Sequence, residues 1–175
     1  MGFLPKGYKV PSNGDARSWW KPETGVTTVR ILSNCITGTE YWDDNSPVRV
    51  MDSNDVPNHI DDAKHFWMVP VAVNGEINIW TITQKSIQSQ IFELMQSKKW
   101  GDPQDYDLDV KREGAGLQTR YTITPNPKED LDTGVANRYK IWATSNNLVD
   151  IAFSKNGKQT EEKEKQTEEK EELPF

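Results

Sequence analysis

Residues 64–82 read KHFWMVPVAVNGEINIWTI, and this stretch decides the fold. Asn74-Gly75 lies between two runs rich in β-branched and aromatic residues, the strongest short-range hairpin signal a sequence offers. In the first run aromatic and aliphatic side chains fill both faces, as a central strand requires. In the second, Ile77, Ile79 and Thr81 fall on one face and Trp80 and Ile82 on the other. The period then changes from two to about 3.6. Over residues 83–99, TQKSIQSQIFELMQSKK, one helical stripe collects Ile87, Ile91, Leu94 and Met95, with Gln, Lys and Ser opposite. Thr83 is the expected N-cap, and WGDP ends the helix at Gly101 and Pro103.

Working outward, GVTTVRILSNCITG (25–38) reads as a long first strand, with a bend at Gly38 and a continuation through TEYW (39–42). Residues 43–63 are acidic and full of turn formers, with PVRVM (47–51) as a short strand inside them. On the other side, YDLDVKR (106–112) alternates Tyr106, Leu108 and Val110 against Asp107, Asp109 and Lys111. GAG (114–116) turns the chain and LQTRYTIT (117–124) returns as the next strand. Pro125 and Pro127 open a loop. VANRYKIWA (135–143) and NNLVDIAF (146–153) are expected as short helices packing Tyr139, Trp142, Leu148 and Phe153 back onto the strands.

The order is strand, strand, strand, helix, strand, strand. That is the order of the OB-fold, a five-stranded Greek-key barrel with its helix between strands three and four. An α+β sheet with one covering helix is the main competitor. The chain divides into an irregular basic arm (1–24), interrupted by Pro5, Gly7, Pro11, Gly14 and Pro22, a barrel domain with short C-terminal helices (25–153), and an acidic tail (154–175). In the tail QTEEKEK (159–165) is repeated as QTEEKEE (166–172). No position of that repeat is apolar, which excludes a coiled-coil seam and predicts disorder.

Net charge is −6 over 175 residues, so the field of the whole molecule does not attract nucleic acid. The distribution differs: residues 1–39 hold five Lys/Arg against two Asp/Glu, and residues 40–62 hold seven acids against Arg49 alone. Cys35 is the only cysteine, so no intramolecular disulfide forms and a reducing cytoplasm is the expected compartment. MGFLPKGYKV lacks the apolar run of a signal peptide, and Lys6 stands where a myristoylation signal has Ser or Thr. No apolar stretch approaches the ~20 residues of a spanning helix.

Catalysis is not expected. His59 and His65 are the only histidines and neither stands at a metal-ligand spacing with Cys35. Asp43-Asp44 and Asp61-Asp62 are paired acids of the kind that hold Mg²⁺, but runs of like charge are ordinarily solvated loops. No phosphate cradle, nucleophile motif, cofactor site or metal site is evident.

Binding is better supported. Seven tryptophans are many for a chain this small, and several stand beside cations or other aromatics, in RSWWKP, EYW, KHFWM and NRYKIW. Single-stranded nucleic acid is held by this combination, rings stacking on unpaired bases while Lys or Arg follows the phosphates. The competing use of Trp is burial, which is the reading for Trp80, Trp100 and Trp142. At most one of the adjacent Trp19 and Trp20 is expected to point inward. The candidate DNA contacts are Trp19, Trp20, Lys21, Arg30, Tyr41, Trp42, Arg49, Lys64, Trp67, Arg112 and Arg120.

The chain closes on Glu171, Glu172, Leu173, Pro174 and Phe175. A barrel for single strands followed by an acidic run ending in Leu-Pro-Phe resembles the single-stranded-DNA-binding proteins of bacteria, which close in Ile-Pro-Phe, and those of their phages. WWKPETGVTTVRILSNCITGTEYW, KHFWMVPV, ITQKSIQSQI and WGDPQDYDLDVKREGAGLQTRYTITP look like the phage group, over most of residues 19–125. The resemblance implies protection of single strands during replication, recombination and repair. It also implies that the tip recruits replication and recombination proteins. The Trp-rich arm and the long connection between strands one and two depart from the bacterial type, so its tetramer is not carried over, and a homodimer stays open. A protein-interaction adaptor and an RNA-binding barrel are the alternatives.

Overall fold

The computed structural model describes residues 18–153, together with Phe3. The acidic tail with its Leu-Pro-Phe tip, and most of the N-terminal arm, lie outside the described residues.

Eight strands form one sheet: β1 (Trp19–Trp20), β2 (Gly25–Ile31), β3 (Ile36–Asp43), β4 (Ser46–Val50), β5 (Lys64–Val73), β6 (Glu76–Ile82), β7 (Tyr106–Glu113) and β8 (Arg120–Lys128). Among the described residues three α-helices accompany it: α1 (Lys85–Gln96), α2 (Thr133–Ser145) and α3 (Leu148–Phe153). The main path runs β1-β6-β5-β2-β7-β8, and β3 pairs with both β4 and β5. The β5–β6 hairpin turns on Asn74 and Gly75, both at positive φ (53° and 82°), as the two-residue primed turn demands. A second such turn at Asp44 and Asn45 joins β3 to β4.

The long first strand is divided in two. The break at residues 32–35 lets β5 change partner, from β3 (Ile36 opposite Met68) to β2 (Ile31 opposite Val71). Pro70 stands at that change, its carbonyl accepting from the Leu32 amide at 3.0 Å. Its missing N–H faces the break, so a proline is tolerated inside a central strand. Gly38 is not a bend: it lies mid-strand, where an added Cβ would meet the Val50 carbonyl at 2.8 Å and the Phe66 ring at 2.9 Å.

The sheet curls, so that residues from β2, β5, β6, β7 and β8 share one core with α1: Val29, Val69, Trp80, Leu108 and Ile123 with Ile87 and Ile91. The curl does not close. The expected five-stranded closed barrel is replaced by an open eight-stranded sheet. Two features explain this. The second edge of β6 is occupied by β1 in parallel, with Trp19 opposite Ile79 and Trp20 opposite Trp80. The remaining gap is spanned by glutamines of α1. The Gln90 amide accepts from the Ile123 N–H at 2.8 Å and donates to the Tyr121 carbonyl at 3.0 Å, satisfying the edge of β8. Gln88 donates to the Ile82 and His65 carbonyls at 2.9 and 3.1 Å. Gln90→Ala, which leaves a part-buried amide without an acceptor, is expected to cost about 1–3 kcal/mol. Faster hydrogen exchange at Ile123 would check it; unchanged exchange would show that the seal lies elsewhere.

A second cluster lies on the opposite face of the sheet, where Phe66, Met68 and Ile79 are covered by Ile151 and Ala152 of α3. Trp142, Leu148 and Phe153 pack at its margin. Tyr139 stacks on Trp142 with ring centroids 5.9 Å apart. Smaller expectations also shift. Gln84 rather than Thr83 is the N-cap of α1, and Ser97 is its C-cap. Met95 is exposed and does not join the core. β8 continues through Pro125 and Pro127, which an edge strand accommodates because its outer N–H groups need no partner.

Candidate nucleic-acid interface

The eleven candidate contacts divide sharply. Arg30 is 6% exposed, and its guanidinium is consumed internally. Its Nε donates to the Gln104 carbonyl at 3.0 Å, its Nη1 to Asp107 at 3.1 Å and its Nη2 to the Glu129 carbonyl. Arg49 is also buried, donating to Glu40 at 2.9 Å, with its guanidinium 5.7 Å from the centroids of both Trp19 and Phe66. A cation held between two rings in a desolvated site is stabilising by about 2 kcal/mol. Arg112 donates to the Pro22 carbonyl at 3.2 Å, and its Nε is buried without a partner. Tyr41 is buried.

Trp19 and Trp20 both pack inward, although only one of them was expected to. As neighbours on a strand they point to opposite faces, and here both faces are covered. Trp19 joins the cluster under α3, while Trp20 meets Trp80 edge-on at 4.9 Å between centroids. Neither is a free stacking surface. Lys21, Lys64 and Arg120 are exposed, and Trp42, at the tip of the β3–β4 hairpin, is 45% exposed. Glu40 stands opposite Lys64 and Glu113 opposite Arg120 in the strand registers.

Trp67 remains. It is half-buried on β5, packed against the main core and lining a cleft of about 260 Å³ whose floor belongs to that core. The cleft floor is apolar, formed by Ile31, Val69, Ile82 and Ile91, with Met95 at its side. Its rim is polar: Ser33 and Asn34 from the break between β2 and β3, and Asp102 and Gln104 from the loop after α1. Hydrogen bonds tie that rim together. Asp102 accepts from the Gln104 amide at 2.9 Å, Arg30 grips the Gln104 carbonyl, and the Gln104 side chain donates to Asn34 Oδ1 at 2.9 Å. Tyr106 donates its hydroxyl to the Gly101 carbonyl, and Trp100 meets its ring edge-on at 5.5 Å. Burial, then the nearby Asp102 and Asp105 carboxylates, push the Tyr106 phenol above its ordinary value, so it stays neutral. Cys35 lines the same cleft, and desolvation there raises its thiol, opposed by a smaller backbone hydrogen bond.

Beside it, Thr37 (opposite Trp67 on β3) and His65 line a larger cleft of about 1000 Å³ under the 51–63 loop, which contributes Asp52 and Asp61. Among the described residues no group of three or more His, Cys, Asp or Glu is arranged to hold a metal, and no helix is long and apolar enough to cross a membrane. Sequence reasoning found Trp67 but missed Asn34, Met95, Asp102 and Gln104. The Asn34–Gln104 contact joins positions 70 apart, and no local pattern signals it.

Compared with known proteins, the chain matches no family model, and no curated protein or solved structure matches it significantly.

Proposed function

We propose that this is a single-stranded-DNA-binding protein of the phage type, built on an opened OB-fold. The observation that carries the reading is the position of Trp67. With β2 and β3 counted as one divided strand, the pairs β2–β5, β5–β6, β2–β7 and β7–β8, with α1 between β6 and β7, follow the OB Greek key. In that correspondence Trp67 stands on the second barrel strand, beside the long connection between strands one and two, where OB-folds take their ligands. A half-buried indole there is suited to stack on an unpaired base, and the exposed Lys64 on the same strand and Lys98–Lys99, between the cleft residues Met95 and Asp102 in sequence, are the cations offered to phosphates. The acidic segment Glu171–Phe175 is the element that recruits replication and recombination proteins, through its carboxylates and the Phe175 ring.

The test is a titration of the full chain with labelled oligo-dT followed by anisotropy. Binding should weaken steadily as salt rises, because phosphate contacts release counterions. Trp67→Ala should weaken it by about 1–3 kcal/mol, one stacked base. Deleting residues 161–175 should strengthen binding at low salt and abolish capture of replication proteins. A truncated chain with unchanged affinity and unchanged capture would retire the role of the tail.

A protein-interaction adaptor is the second reading. Asp52 and Asp61 in the larger cleft, and the exposed Ile141 and Val149 on α2 and α3, favour it. Gel shifts with single-stranded and duplex DNA separate the two.

A further inference from the structure

We infer that the cleft beside Trp67 is a slot for one unpaired nucleobase, read at its hydrogen-bonding edge and selective for a base carrying an exocyclic amine, cytosine before thymine. This rests on the single-strand reading and deepens it. Size comes first. At about 260 Å³ the cleft lies below the roughly 300–1,000 Å³ of pockets for drug-sized ligands, so it suits a single ring. Its lining divides as a base does, with apolar surface from Trp67 and Met95 for the faces and polar groups gathered on one rim for the edge.

The rim has a definite polarity. The Gln104 amide spends a donor on Asn34 Oδ1, which leaves Gln104 Oε1 as an acceptor and Asn34 Nδ2 as a donor. Asp102 Oδ1 accepts from the backbone N–H of Gln104, and the second carboxylate oxygen stays as another acceptor. Two acceptors and one donor complement an edge with an amine beside a ring acceptor. Cytosine presents N4, whose two hydrogens can meet both acceptors, and N3 for the donor, whereas thymine offers O4 to the donor and only one N3–H, which leaves an acceptor unpaired.

Charge agrees with that orientation. The rim carries the Asp102 carboxylate and no cation, so it repels a phosphate and accepts a neutral ring. Lys98 and Lys99 stand in the turn between Met95 and Asp102, exposed, with Lys99 Nζ 5.2 Å from the Trp100 ring. These two cations, between cleft residues in the chain, are the ones offered to the phosphate of a nucleotide whose base fills the slot. Arg30, buried behind the Gln104 carbonyl, and the Asp102 cap hold this rim in place before any ligand arrives.

The experiment compares oligo-dC with oligo-dT of equal length on the full chain, at pH 8 and several salt concentrations. The wild type should favour oligo-dC by about tenfold, the discrimination of one good edge contact. In Asp102→Asn and Gln104→Ala that ratio should fall towards one, with an unchanged salt dependence. The single thiol gives a second readout: oligo-dC should protect Cys35 from iodoacetamide more than oligo-dT does. Tight binding of both oligomers with a ratio that the variants leave unaltered, and no protection of Cys35, would overturn the slot while leaving single-strand binding intact. Failure to bind either oligomer at any salt would overturn the single-strand reading and the slot with it.

Discussion

Trp80→Ala is expected to destabilise the folded chain by about 3–5 kcal/mol, the cost of emptying a large buried aromatic site. Trp80 is fully buried at the centre of the main core, on the inward face of β6. Its loss removes more than its own area. Trp20 rests edge-on against it, so the docking of β1 depends on the same ring. With β1 loosened, the second edge of β6 is exposed, and amide exchange should accelerate along Asn78–Thr81. In urea, with a slope of about 2 kcal/mol/M, the midpoint should fall by about 2 M. Trp80→Phe should cost far less. The indole N–H is buried with no acceptor, so phenylalanine removes an unsatisfied donor together with some packing. A Phe variant as unstable as the Ala variant would contradict this description of the core.

Arg30→Met is the second large effect, about 3 kcal/mol, at the lower end for a broken buried ion pair because Asp107 keeps 30% of its side-chain exposure. The guanidinium ties β2 to three separate places: the turn before β7, β7 itself and the segment after β8. Methionine fills the space and leaves two carbonyls and a carboxylate short of a donor. The variant also separates structure from recognition. A phosphate-binding arginine lowers the salt slope of nucleic-acid binding by about one when removed. Arg30 is turned inward, so its loss should lower the melting temperature and loosen the Gln104 rim while the slope stays the same. A reduced slope with an unchanged melting temperature would make Arg30 a ligand contact after all.

Local signals carried far along this chain. Asn74-Gly75 announced its hairpin, the period change after Ile82 announced α1, and the alternation in YDLDVKR announced β7. Each depends on neighbours within a turn or a strand. The errors came where distant segments meet. The adjacency of Trp19 and Trp20 implied one inward ring, because the sequence does not reveal that α3 covers the far face of the sheet. Pro125 and Pro127 implied a loop, because nothing local says that β8 is an edge. The closed barrel was expected from element order alone, and element order cannot show that a two-residue strand from the arm takes the place β8 would need.

The candidate site was less legible than the fold for the same reason. Cations beside aromatics looked alike in sequence, yet Arg30 and Arg49 found carboxylates and carbonyls and became internal struts. Trp67 stayed half-buried, paired with Thr37 on β3 and packed at the margin of the main core, where the cleft lies. Asn34 and Gln104, which give the cleft its polar edge, carry no motif; only folding brings them to 2.9 Å.

Anisotropy of labelled oligo-dT with the full chain, wild type beside Trp67→Ala over a series of salt concentrations, tests single-strand binding at this cleft most directly. The expected result is salt-sensitive binding that the substitution weakens by about 1–3 kcal/mol without unfolding the chain. No binding at low salt, or binding indifferent to the loss of that ring, would contradict it.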